Sequence, residues 1–240
     1  MRNALFWISL PFLVPQALYL RKDIPRFADA AGPNFGTTGS GDTRTLLMFG
    51  DSIAAGVGAS AFDRSMAGRT AAGLAATAPV RVEWKSVGYT GATCEQVLQR
   101  LDDAEASSDL DFLVLSVGVN DVTALTTIPA WRRSLRKLLQ RLNALYQRPT
   151  IVLCGLPPFR MFPSLPQPLR SSMQLRAYSI DEASQQVVAE FENVHFAPMV
   201  FEPSPEKFAA DGYHPSEAGY DEYGRAMGAL LARLNPAGRN

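Results

Sequence analysis

Cysteine and histidine are both scarce here, with two of each in 240 residues. Cys94 and Cys154 lack the spacing of a metal site. Cys154 lies in an apolar, strand-like run and reads as a small core residue. Cys94 follows a glycine-rich turn, and nothing in the sequence argues for a disulfide between the two. An excess of one charge is also missing, because 23 Lys and Arg offset 23 Asp and Glu. A balanced chain has no global field to draw in nucleic acid. Nor is there a basic run with interleaved aromatics, which removes nucleic-acid binding from the candidate functions. No internal repeat is apparent.

The length fits one folded domain with an appendage, and a chain of this size buries roughly 70% of its unfolded surface. Residues 4–20 carry no charge and are flanked by Arg2 on one side and Arg21 and Lys22 on the other. The segment is a membrane or targeting element, or an apolar helix packed on the domain. As a helix at ~1.5 Å per residue it would be roughly 25 Å long, slightly short of a ~30 Å hydrocarbon core. Ala28-Asp29-Ala30 resembles a signal-peptidase site, but the charged stretch 21–26 separates it from the apolar core. The reading adopted is an uncleaved anchor over residues 1–24. It places the chain at a membrane or in the cell envelope, with the side undetermined. The composition then turns to Ala, Gly, Thr, Ser, Asn and Pro, so residues 25–44 are expected to be a linker. The folded domain is expected over 45–235.

Within that domain, residues 46–50 are a mostly apolar, uncharged run ended by Gly50. This reads as a strand buried on both faces of a parallel sheet. Further strands are expected at 80–87, 111–118, 150–155 and 194–197. Helices are expected at 64–78, 95–103, 129–146, 169–192 and 215–234. Leu135, Leu138, Leu139, Leu142 and Leu145 recur at helical spacing in the third of these. Strands alternating with helical crossovers argue for a parallel α/β/α sandwich. Residues 156–168 are rich in proline and contain Phe159, Met161 and Phe162. They form a loop that could supply an apolar wall.

In such a sheet the carboxyl ends of the strands share one edge, and polar residues there converge. Ser52 stands just beyond Gly50 and can be a nucleophile if a base reaches it. His214 follows Asp211 by three residues, so one turn of chain carries both. The carboxylate can accept from Nδ1 and leave Nε2 free as a base, or Asp211 can simply cap the next helix. Gly91 offers an N–H with no side chain to obstruct an oxyanion. Asn120 offers a side-chain amide, although Gly-x-Asn-Asp is also good turn chemistry. With the Ser52 N–H these make three donors. His195, beside a short strand, reads as structural, and Asp51 is expected to brace the loop.

These residues stand in four blocks: Gly50-Asp51-Ser52, Gly88-Tyr89-Thr90-Gly91-Ala92-Thr93, Gly118-Val119-Asn120-Asp121 and Asp211-Gly212-Tyr213-His214. In order and content they resemble the SGNH, or GDSL, hydrolase family. One departure is Ser86, where the family's second block often has Asn. The resemblance implies a flavodoxin-like three-layer α/β/α fold with a five-stranded parallel sheet. It implies ester hydrolysis without metal or cofactor, with Ser52, Asp211 and His214 catalytic and Ser52, Gly91 and Asn120 forming an oxyanion hole. The substrate would be a small-molecule or lipid ester. An acyltransferase to a sugar or lipid hydroxyl and a non-catalytic binding module on the same fold are the alternatives. The α/β-hydrolase elbow G-x-S-x-G is excluded, because Ala54 occupies its second glycine position.

Overall fold

The computed structural model describes residues 27–101, 110–199 and 204–234, together with Phe6 and Leu13. Its regular elements are β1 (Phe35–Gly39), β2 (Asp42–Gly50), α1 (Met66–Thr77), β3 (Val80–Gly88), α2 (Cys94–Gln99) and β4 (Phe112–Ser116). They continue with α3 (Val119–Thr123), α4 (Ile128–Leu145), β5 (Thr150–Cys154), α5 (Leu169–Val188), β6 (Val194–Ala197) and α6 (Glu217–Leu234). Among the described residues the strands form one six-stranded sheet in the order β1-β3-β2-β4-β5-β6. From β3 to β6 every pairing is parallel. The order of those five strands is that of the flavodoxin-like doubly wound class.

Alternation along the central strands sets up the three layers. Leu47 and Phe49 of β2, with Leu113 and Leu115 of β4, face a core built with α4 and α5. Leu46 and Met48, with Phe112 and Val114, face the opposite core, built with α1 and α6. Period-two side-chain direction on a sheet covered on both faces produces this split from an unbroken apolar run. On α4 the residues at helical spacing, Trp131, Leu135, Leu138, Leu139 and Leu142, are all buried. Burying each such leucine contributes roughly 1.5–3 kcal/mol relative to leaving it exposed.

The expected parallel strands and the helices between them are present, with ends shifted by a few residues. Two features differ. The stretch 25–44, expected to be a linker, carries β1, which pairs antiparallel with β3 along the sheet edge. The sheet therefore has a sixth strand beyond the five expected. Composition hid it because β1 buries almost no side chain; its burial alternates only between exposed and half-buried. Its glycine is needed by its neighbour, since a Cβ on Gly36 would lie 2.6 Å from the Trp84 ring. Upstream, Asn34 donates to the Ser86 carbonyl and accepts from the Ser86 N–H, and the Ala30 N–H donates to Ala55. The second difference is α3, a short helix shortly after β4 where no regular element was expected.

The anchor expected over residues 1–24 lies outside the described residues, apart from Phe6 and Leu13. Both of these are buried in the α4/α5 core. No helix among the described residues is long and apolar enough to cross a membrane.

Candidate active site

The site is assembled where β2, β3 and β4 end side by side. Gly50 is in register with Gly88 on one side and Ser116 on the other. The chain leaves β2 through Gly50 at φ 143°, and a Cβ there would sit 1.9 Å from the Ser116 carbonyl oxygen. Only glycine allows that approach. Both neighbouring strands hold the turn, because the Tyr89 N–H donates to the Gly50 carbonyl and the Asp51 N–H to that of Ser116. Ser86 replaces the asparagine of the related block and donates from Oγ to the Ala54 carbonyl at 2.5 Å. It thereby ties β3 to the same turn.

Ser52 emerges from this turn nearly buried, with its Oγ 3.0 Å from Nε2 of His214. Nδ1 of His214 is 2.6 Å from Oδ2 of Asp211. The other oxygen, Oδ1, accepts from the N–H groups of Tyr213 and His214, each at 2.9 Å. Asp211 is thus both a ring partner and a brace for its own turn, so the two uses left open in the sequence coexist. Burial pushes the Asp211 carboxyl up, but the bonds from the His214 ring and from the two N–H groups outweigh it and hold it below its ordinary range. An ionised carboxylate only accepts, so Nδ1 carries the hydrogen and Nε2 presents a lone pair to the serine hydroxyl.

Gly91 and Asn120 follow the ends of β3 and β4. Gly91 has φ +80°, and nothing lies within 4 Å of where a Cβ would stand. Among the described residues neither this N–H nor that of Ser52 has a hydrogen-bond acceptor. Asn120 donates one amide hydrogen to the Ala92 carbonyl at 3.0 Å, which orients the amide and leaves its second hydrogen available. His195 lies on β6, paired with Val152, away from this edge.

Asp51 is buried beside Ser52. Burial raises its carboxyl to about 6, against hydrogen bonds from the Ile53 N–H and Ser116 Oγ. Its hydrogen bonds stay within the turn and reach β4, and none among the described residues goes to Ser52 or His214. Ser116 was missed in the sequence, because a serine ending an apolar strand carries no distinctive signal.

A cleft opens from Ser52 and His214 across the ends of β4 and β5. Its walls include Val117, Val119, Leu156, Pro157, Phe162 and Phe208. Of the three loop residues expected to form a wall, Phe162 lines the cleft. Phe159 is fully buried and stacks on Phe162 at 5.0 Å, and Met161 does not line the cleft. Phe162 also packs on Tyr213 at 4.9 Å, and Ser164 Oγ donates to the Gly212 carbonyl. The loop is therefore docked on the turn that carries His214. Cys154 borders the cleft too, but burial pushes its thiol up to about 12, so it stays protonated and is no rival nucleophile.

Comparison with known proteins identifies a family and a fold. The profile of the GDSL-like lipase/acylhydrolase family matches residues 48–222. A GDSL-like esterase of Mycobacterium tuberculosis is 30% identical over 228 residues, covering 87% of this chain and 72% of that protein. Among solved structures, a lipase/acylhydrolase from Enterococcus faecalis superposes with a TM-score of 0.60 at 24% identity, covering 80% of this chain and 98% of that one. Est24, a carbohydrate acetylesterase from Sinorhizobium meliloti, superposes with a TM-score of 0.63 at 19% identity, covering 80% and 99% respectively. At these identities the two solved structures bear on the fold alone.

Proposed function

The chain belongs to the GDSL-like lipase/acylhydrolase family and is a carboxylic ester hydrolase of that type, and from this premise we propose that it works through an acyl-enzyme on Ser52. The observation that carries the proposal is the unbroken hydrogen-bonded line from Ser52 Oγ through His214 to Asp211. Ser52 Oγ attacks the ester carbonyl carbon while His214 Nε2 takes its proton. Asp211 keeps the ring in the tautomer this requires and stabilises the imidazolium that forms. The negative charge gathering on the carbonyl oxygen is met by the N–H groups of Ser52 and Gly91 and by the Asn120 amide. One such donor contributes about 2.7–4 kcal/mol of transition-state stabilisation. His214 then protonates the departing alcohol oxygen. Water, deprotonated by the same nitrogen, attacks the acyl-enzyme and releases the acid.

The apolar walls of the cleft support an uncharged ester with a hydrocarbon acyl group as substrate. A carboxylate or phosphate on that group would lose its hydration there without a cationic partner among the lining residues. The test is labelling with a fluorophosphonate, combined with turnover of a series of p-nitrophenyl esters of increasing acyl length. Wild type should acquire one adduct, on Ser52, and Ser52→Ala should acquire none and lose turnover while keeping its circular dichroism. A folded Ser52→Ala protein with near-wild-type turnover refutes the proposal.

A further inference from the structure

The two loop donors of the oxyanion site stand on separate segments, Gly91 after β3 and Asn120 after β4. Strand register fixes where each segment begins but not how far apart the donors come to rest. Two cross-links join the segments. One is the Asn120 amide on the Ala92 carbonyl at 3.0 Å. The other is made by the next residue, Asp121, whose Oδ2 accepts from the Cys94 N–H at 2.9 Å. Cys94 is the first residue of α2, shortly after Gly91, and the Asp121 side chain is 1% exposed. Its other oxygen, Oδ1, accepts from Thr126 Oγ1 at 2.8 Å.

Behind this carboxylate lies Arg176 of α5, wholly buried. Its Nε donates to the Val122 carbonyl at 3.2 Å and its Nη2 to the Thr126 carbonyl. The guanidinium thus grips the backbone of α3 just after the donor and again at the end of the turn that follows. Phe6 covers it, with the ring centroid 5.0 Å away. A buried cation and a buried carboxylate are costly to keep unless each is well partnered. Here the guanidinium is met by the Val122 and Thr126 carbonyls, and the carboxylate by the Cys94 N–H and the Thr126 hydroxyl. Burial pushes the Asp121 carboxyl up, and the bonds it accepts and the charge of Arg176 oppose that push.

We propose that Asp121 is a positioning residue that fixes the spacing between the Gly91 N–H and the Asn120 amide, and that Arg176 clamps the helix from which it acts. The proposal rests on the oxyanion roles given to Gly91 and Asn120 above. Neither Asp121 nor Arg176 touches substrate. Their effect is on how well two fixed donors match an oxygen whose charge peaks in the transition state, so kcat should suffer and KM should not.

The test is a double-mutant cycle on the full chain, read by p-nitrophenyl ester hydrolysis and by inhibition with an alkylboronic acid. The boronate adduct on Ser52 is tetrahedral and places an anionic oxygen where the oxyanion forms. Asp121→Ala leaves the Cys94 N–H without its acceptor and should lower kcat by about 10²-fold, the scale of loss for a reacting group misplaced by around 1 Å, with KM unchanged. Boronate affinity should fall in parallel. In an Asn120→Ala background the further loss from Asp121→Ala should largely disappear, because the spacing no longer matters once one donor is gone. Thr126→Val removes one donor to the carboxylate while keeping all charges. It should show the same kcat-only pattern at smaller size, and it carries the test should Asp121→Ala not fold. Losses that multiply fully with that of Asn120→Ala, or that fall on KM, overturn the inference. If Ser52→Ala stays active, the acyl-enzyme reading itself has failed. If Ser52→Ala is dead and Asn120→Ala slow while the cycle is multiplicative, only the positioning role has failed.

Discussion

Replacing Asp211 by asparagine should separate what this residue does for the chemistry from what it does for the fold. Oδ1 accepts from two N–H groups at 2.9 Å, so an asparagine must place its carbonyl oxygen there. Its NH2 then occupies the position of Oδ2, 2.6 Å from His214 Nδ1. A donor now faces Nδ1, so Nδ1 must accept and the ring hydrogen moves to Nε2. That nitrogen, 3.0 Å from Ser52 Oγ, loses the lone pair that would take the serine proton. The expected loss in kcat is on the order of 10⁴-fold, or roughly 5.5 kcal/mol at about 1.36 kcal/mol per tenfold. The two backbone bonds survive, so the unfolding midpoint in urea should move little. Asp211→Ala is the poorer experiment, because it strands two N–H groups at about 1–3 kcal/mol for each one left buried. Initial rates of ester hydrolysis give the first readout, and ¹⁵N imidazole resonances report the tautomer directly. A kcat within tenfold of wild type, or a neutral ring that keeps its hydrogen on Nδ1, refutes the reasoning. The native carboxyl is held below its ordinary range, so its stabilisation is present at neutral pH and lost as pH falls through that lowered value. Asp211→Asn should remove this part of the acid sensitivity.

Asp181 tests the opposite sign. Burial raises its carboxyl from 3.8 to about 6 although the Leu156 N–H donates to it, so its contribution is full at low pH and declines as pH rises from about 4 to 6. Asp181→Asn should therefore gain on wild type by up to about 3 kcal/mol across that window and hold a constant difference above it. Urea unfolding at several pH values measures this, and a difference independent of pH excludes it. Deleting the chain through residue 43 should strip β1 from β3, exposing a sheet edge that pairs readily with other chains. A lower Tm and growth of light scattering are expected, and a shortened protein as stable and monodisperse as the full chain would show that β1 is dispensable.

The parts of the fold legible in the sequence are those held by side chains. The parallel strands announce themselves as apolar runs because both faces of the sheet are covered. Leu135, Leu138, Leu139 and Leu142 mark α4 because one stripe of it is buried. β1 gives no such signal. It is attached through backbone pairing with β3, its one large side chain, Phe35, is exposed, and Gly36 makes room for Trp84. A reading that scores side-chain burial sees only a polar, glycine-rich stretch.

The same distinction runs through the site. Ser52 is readable because its position is fixed locally, by a strand end, by a glycine pressed against Ser116 and by hydrogen bonds from both adjoining strands. Asp211 and His214 are readable as a pair because one turn of chain joins them. That this turn lies 3.0 Å from Ser52 is a tertiary fact. It depends on Phe162 packing on Tyr213 and on Ser164 bonding to Gly212, contacts from a proline-rich loop with no periodicity to interpret. Arg176 is hidden further still. It sits in a helix remote from the four blocks, and its partners are carbonyl oxygens, which every residue possesses and no sequence marks. Residues that carry the chemistry must be of particular types and so leave a pattern. Residues that hold them in place need only reach the backbone, and their identity becomes meaningful once the chain is folded.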